Sequence, residues 1–212
     1  MIDLHTHTIF SDGELIPSEL VRRALVHGYQ AIAITDHIDY SNIEHVLAGA
    51  KKAKYLEDVW DIRVLAGVEL THLPPEKIAP LVKKSKELGA EIVVVHGETI
   101  SEPVAQGTNA AVVELSDVDI LAHPGLITMD DAQKAVDNDV CLEITSRNGH
   151  NRTNGHVAKV ALEVGATLVV NTDTHSPDDL ITKNIARNIA MGAGLSKEKA
   201  DEVLASSMRF IR

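Results

Sequence analysis

Aromatic side chains are scarce, at 3% of 212 residues. A core built from this chain must therefore be aliphatic. Stacking platforms for single-stranded nucleic acid are also in short supply, with only Tyr40, Tyr55 and Trp60 as candidates. Basic residues are in deficit: 20 Lys and Arg stand against 31 Asp and Glu, a formal net charge of −11. That argues against a nucleic-acid-wrapping surface, which would be basic. It does not argue against a small anionic substrate, because bound divalent cations set the sign of a local site. Cysteine occurs once, at Cys141, so no internal disulfide can form, which fits a reducing cytoplasm. No apolar run approaches the length of a membrane span. The opening MIDLHTHTIF lacks the basic-then-apolar order of a signal peptide. A cytoplasmic protein with no membrane partner is expected.

What is present is a regular alternation. Short aliphatic runs at Met1–His5, Ala31–Thr35, Ile62–Leu70, Glu91–His96, Asp119–His123, Val140–Thr145 and Thr167–Asp173 read as buried strands. Amphipathic stretches lie between them: Ser18–His27, Ile78–Leu88, Asp130–Asp137, Thr153–Val164 and Pro177–Ala190, with Lys197–Met208 closing the chain. Gly28, Gly89 and Gly165 follow three of these helices, where a left-handed cap is wanted. Seven strands with helices between them predict an α/β fold with a parallel sheet, either a barrel or an open doubly wound sheet. The length suits one domain with a full core, over residues 1–212.

The histidines decide between the two sheets. His5 and His7 close the first strand, His37 follows the second, Glu69 ends the third and His96 the fourth. His123 ends the fifth, Glu143 the sixth, and Asp173 with His175 the seventh. In a closed barrel all these ends meet on one face, whereas an open sheet spreads them along a crevice. A seven-stranded TIM-like (β/α) barrel is therefore predicted. His5 and His7 are two apart and point the same way on an extended chain, as do Asp173 and His175. Asp3 shares that face and is expected to accept a ring N–H and fix a tautomer. Any one such residue could be a helix cap or an ordinary satisfied polar group. So many ionisable groups buried together need a compensating cation. Imidazole and carboxylate without thiolate suit Zn²⁺, Mn²⁺ or Fe²⁺, and Mg²⁺ less well. The supply exceeds the roughly four to six ligands one ion takes, so two or three divalent ions are expected.

His5-Thr6-His7 followed by Ser11-Asp12-Gly13 resembles the opening of the polymerase-and-histidinol-phosphatase (PHP) family. Ile34-Thr35-Asp36-His37, Gly67-Val68-Glu69, Val95-His96, Ala122-His123-Pro124 and Asp173-Thr174-His175 extend the resemblance, in order, to about Pro177. The resemblance implies a distorted seven-stranded barrel with a trinuclear metal centre at its C-terminal face. His5, His7, Glu69 and Asp173 would hold the first ion. Glu69 would bridge to a second, held also by His96 and His123. Asp12, His37 and His175 would hold the third. Many family members have His where this chain has Asp12, which makes that third site harder and favours Mn²⁺ or Fe²⁺ there.

The implied activity is metal-dependent hydrolysis of a phosphate ester, with His5, His7, Glu69, Asp173 and His175 as the catalytic set and a metal-bridged hydroxide as nucleophile. The expected partner is a small phosphorylated metabolite, hydrolysed as a monoester. A phosphodiesterase or exonuclease and a non-catalytic metal-binding module are the alternatives. Arg147 is a planar donor suited to phosphate, and His150 in the same loop is a second candidate substrate contact. A metal-bound water, His150 or His175 could protonate the leaving group. His27, His45, His72 and His156 read as surface or helix-packing residues, with His72 the least certain because it follows Glu69 closely.

Overall fold

A computed structural model describes residues 1–211. Eight short strands run parallel: β1 (Ile2–Asp3), β2 (Ala31–Ile34), β3 (His37–Ile38), β4 (Arg63–Leu70), β5 (Ile92–His96), β6 (Ile120–Ala122), β7 (Cys141–Thr145) and β8 (Leu168–Asn171). They form seven staves in the order β1-β2-β4-β5-β6-β7-β8. β3 prolongs the second stave, pairing with β4 as β2 does. A Thr6–Thr174 bridge, with His7 N–H donating to Thr174 O (2.8 Å) and Asp173 N–H to His5 O (2.9 Å), joins the last stave to the first. The predicted barrel is thus nearly closed.

The period of two along each strand sorts side chains between two cores. Ile32, Ile34, Val93, Val95, Leu142 and Val170 point outward into the layer under the helices. Ala31, Ala33, Leu65, Ile92, Val94, Ile120, Cys141 and Val169 point into the barrel. Continuing the inner face toward the strand C-termini replaces aliphatic residues with ionisable ones. Leu65 leads to Glu69, Val94 to His96, Cys141 to Glu143, and Val169 to Asp173. The apolar plug below and the ionisable layer above therefore follow from one alternation. At Gly67, between Leu65 and Glu69, a Cβ would come within 2.8 Å of both Ile92 O and Thr35 Cγ2. Phe210 and Ile211 pack against the inner plug.

Cys141 lies within that plug, and burial pushes its thiol up to about 12. A thiolate-directed reagent is expected to leave the native protein unmodified at pH 8 and to label one thiol per chain in denaturant. Rapid labelling of the native form would contradict this packing.

The helices are α1 (Pro17–Val26), α2 (Ile43–Lys52), α3 (Pro75–Glu87), α4 (Thr108–Val112), α5 (Met129–Asp137), α6 (Asn154–Val164), α7 (Lys183–Gly192) and α8 (Lys197–Ser206). None among the described residues is long and apolar enough to cross a membrane. α2 and α4 were not anticipated from the sequence, and one expectation is corrected. Pro177–Ala190 is not a single helix. Ser176 and Asp179 cap a 3₁₀ turn over Pro177–Asp179, Leu180 is extended, and α7 starts only after Thr182, whose side chain accepts from Ile185 N–H. Tyr29 holds the break by donating its hydroxyl to Ile181 O (2.8 Å).

Candidate metal centre

His5, His7, His37, Glu69, His96, His123, Asp173 and His175 all reach the same mouth of the barrel. Glu69, fully buried on β4, lies at its centre. His5 Nε2 is 3.3 Å from Glu69 Oε1, His7 Nε2 is 3.5 Å from Oε2, and His37 Nδ1 is 2.7 Å from Oε2. His123 Nε2 is 3.8 Å from Oε1. Asp173 faces the same group: Oδ1 is 3.2 Å from His7 Nε2 and 3.7 Å from His5 Nε2, and Oδ2 is 3.7 Å from His123 Nε2. Asp173 and His123 adopt positive φ, at 53° and 26°. Such backbone costs energy in non-glycine residues and recurs at functional sites.

Asp12 arrives from the loop after β1. Gly13 makes this possible, since a Cβ there would lie 2.6 Å from the His7 carbonyl. Asp36, in the gap between β2 and β3, accepts from Thr8 N–H, Thr8 Oγ1 and Ser11 Oγ, each at 2.7 Å, and so pins the loop. Asp12 Oδ1 then stands 3.2 Å from His175 Nε2 and 3.5 Å from His37 Nε2.

The rings are oriented from behind. His5 Nδ1–H donates to Glu143 Oε1 (2.9 Å), His96 Nδ1–H to Gly97 O (3.1 Å) and His175 Nδ1–H to Asp173 O (2.9 Å). His37 Nδ1 is 2.6 Å from Thr71 Oγ1, which itself donates to Glu69 O. Each of these rings turns its Nε2 toward the mouth, as metal-ligating histidines do. Asp3 does not play the part expected of it. Leu4 joins the inner plug and His5 the site above it, so the alternation breaks between them. The Asp3 carboxylate instead accepts from Thr172 Oγ1 (2.6 Å), Thr172 N–H and His5 N–H, tying the last stave to the first. Glu143 holds His5 in its place, and also accepts from Asn171 Nδ2 (2.9 Å) and His123 N–H (3.0 Å).

Burial and charge act in opposite directions here. Burial disfavours charge on His5, but Glu143, Glu69 and Asp173 raise it well above the usual imidazole range. Burial, and then the neighbouring His37 or His96, push His7 and His123 well below that range, into the neutral form that ligates metal. Burial and the Glu69 charge push Asp173 up to about 7, against the pull of His5. Among the described residues, six buried side-chain atoms make no hydrogen bond of good geometry: His5 Nε2, His7 Nδ1 and Nε2, Glu69 Oε1 and Oε2, and His123 Nδ1. Orphaned polar atoms at this density are costly unless something binds them. All are nitrogen or oxygen, which suits Zn²⁺, Mn²⁺ or Fe²⁺. The residues fit a divalent metal centre.

Five groupings among the described residues could each hold an ion: His5–His7–Glu69, His5–His123–Asp173, His96–His123–His150, His7–Asp12–His37–His175 and His72–His96–Glu102. Two details differ from expectation. His7 also approaches the third set, stacked on His175 (4.1 Å) and tilted against His37 (4.2 Å). His150, expected as a substrate contact, is buried and stacks on His123 at 4.2 Å. Arg147 borders the cavity of about 260 Å³ above the cluster, and its Nη1 is 3.0 Å from Asp179 Oδ2. His27, His45 and His156 are not among the residues lining that cavity, but His72 is. His72 and Glu102 were missed as site residues. Both come from loops, where no periodicity aims a side chain. The His96 imidazole, ahead of the cost of burial, holds the Glu102 carboxyl down at about 2.

The profile of the PHP domain family matches residues 3–140. An uncharacterized protein of Methanocaldococcus jannaschii is 54% identical over 95% of this chain and 94% of its own length. A protein of Caldanaerobacter subterraneus named as a probable phosphatase is 28% identical over 82% of this chain and 76% of its own length. Among solved structures, a chain of archaeal ribonuclease P with mature tRNA superposes with a TM-score of 0.73 at 17% identity, covering 99% of this chain and 89% of that one.

Proposed function

The chain belongs to the PHP domain family, and from that premise we propose that it is a metal-dependent phosphomonoesterase acting on a small phosphorylated metabolite in the cytoplasm, with residues 1–212 as one catalytic domain. The observation that carries the reading is the set of six orphaned buried atoms on His5, His7, Glu69 and His123. His5, His7, Glu69 and Asp173 would hold one ion. Glu69, His96 and His123 would hold a second, and Asp12, His37 and His175 a third. Two or three such ions would supply Lewis acidity to the phosphoryl oxygens and to an attacking water.

The protein's own groups do the rest. Glu143, Thr71 and the Gly97 and Asp173 carbonyls fix the rings, so that the site is set before substrate arrives. His150 stands at the cavity as the candidate proton donor to the leaving group. A cavity of about 260 Å³ suits a small ester, and a net charge of −11 disfavours a polyanion. The likeness to a ribonuclease P chain concerns the fold. Arg147 is proposed to meet the phosphate from the rim. Arg147→Ala is expected to raise KM for a phosphomonoester roughly tenfold, as loss of a charge-assisted contact does, with metal content unchanged. An unchanged KM would confine Arg147 to its pairing with Asp179.

The test of the reading is p-nitrophenol release from the mono- and bis-p-nitrophenyl phosphates, with protein stripped of metal and then resupplied with Mn²⁺ or Zn²⁺. Metal-dependent turnover favouring the monoester is expected. Preference for the diester would replace this reading with a phosphodiesterase or exonuclease. Full metal content with no turnover of these esters or of a phosphometabolite panel would replace it with a binding module.

A further inference from the structure

The loop from Gly97 to Gly107 is tied at both ends. Glu98 Oε1 accepts from Gly107 N–H (3.0 Å) and Asn109 N–H (2.9 Å), and Asn109 bonds back to Glu98 N–H and on to Pro124 O. The loop therefore closes on itself and presents the Glu102 side chain to the mouth of the barrel. Glu102 Oε2 is 3.1 Å from His96 Nε2 and 3.0 Å from His72 Nε2, and Oε1 is 3.4 Å from His150 Nε2. His96 is 3% exposed and gives its Nδ1–H to Gly97 O, so its Nε2 is the atom aimed at the carboxylate. A carboxylate oxygen and an imidazole nitrogen about 3 Å apart need a proton or a metal cation between them. Ligand atoms around one Zn²⁺ at about 2.0–2.2 Å are themselves separated by a little over 3 Å, which these spacings approach. His72 turns toward the same point on a backbone with φ of 55°, costly for a non-glycine residue.

We propose that Glu102, carried by the loop after β5, is a metal ligand that joins His96 and His72 in holding the outermost ion of the cluster. The inference rests on the metal-centre reading above. It adds two ligands from loops to a set drawn otherwise from strand ends and the Asp12 turn, so that retention of the outer ion depends on the seating of the loop. Thr99 Oγ1, 2.7 Å from His150 Nδ1, anchors the same loop to the neighbouring ring.

Zn²⁺ binding to the stripped full chain, measured by chelator competition and by elemental analysis after dialysis, tests this. Glu102 is half-exposed, so Glu102→Gln is expected to fold as the parent does. It should weaken one Zn²⁺ at least tenfold, or lose it, while the more deeply held ions are unchanged. His72→Asn, a residue that tolerates the left-handed backbone, should weaken the same ion. Unchanged Zn²⁺ number and affinity in Glu102→Gln would overturn the proposal and make Glu102 a hydrogen-bond partner of protonated imidazoles. A parent protein that binds no Zn²⁺ would overturn the metal-centre reading together with this one.

Discussion

Asp173→Asn is expected to lose metal-supported phosphoester turnover by on the order of 10³-fold or more while keeping its fold. Removing a partner that merely orients a ligand costs about 10–100-fold in metal affinity or activity, and removing one preorganised transition-state contact costs about 10²–10³-fold. Asp173 faces His5, His7 and His123 at once, so its loss should exceed either. Asparagine isolates the charge. It matches aspartate in shape and tolerates the positive φ of 53° at this position. Burial and Glu69 already push the Asp173 carboxyl up to about 7, so its charged form is disfavoured without a cation. The metal-free variant should therefore unfold at a temperature no lower than the metal-free parent at pH 8. His7→Ala should lose metal and activity similarly, but it also opens a hole among stacked rings and is the less clean test. An Asp173→Asn protein with full metal content and full rate would remove Asp173 from the site.

Stripping metal from the parent should lower its melting temperature by about 10–20 °C. A ligand present at 100 times its Kd and bound only to the folded form stabilises by about 2.7 kcal/mol. Two such ions contribute about 5 kcal/mol, and each kcal/mol moves Tm by roughly 2–4 °C in a chain of this size. The physical source is local. Without a cation, Glu69 and Asp173 face each other in a buried site, and the Nε2 atoms of His5 and His7 have nothing to bind. The sign follows: metal removal destabilises the parent, and Asp173→Asn should show a much smaller shift because it starts with the repulsion relieved. A Tm unmoved by chelation, in protein whose metal content is shown to fall, would mean that the cluster does not couple to folding.

The barrel was legible in the sequence because its strands are short and aliphatic and end in ionisable residues. Ile92-Val94-His96 and Val169-Asn171-Asp173 each carry the inner face from plug to site in one alternation. The same rule misled at Asp3, because the chain leaves strand geometry between Leu4 and His5 and a period of two no longer holds. Glu143 was visible as an inward carboxylate, but nothing in the sequence could say that it reaches across the barrel to His5 Nδ1. Helix α2 was missed between two strongly patterned strands. Glu102 and His72 were not identified as site residues because loops carry no period, and their approach to His96 depends on turns fixed by Glu98 and Asn109. What remained illegible was contact between distant loops, which is where substrate choice resides.

The most direct test of the metal centre is an anomalous difference map from crystals soaked in Zn²⁺ and measured at the zinc edge. At least two peaks are predicted inside the barrel mouth, one of them within about 2.0–2.2 Å of Glu69, His5 Nε2 and His7 Nε2. A map with no peak between Glu69 and Asp173, or with zinc only on the outer surface, would contradict the account.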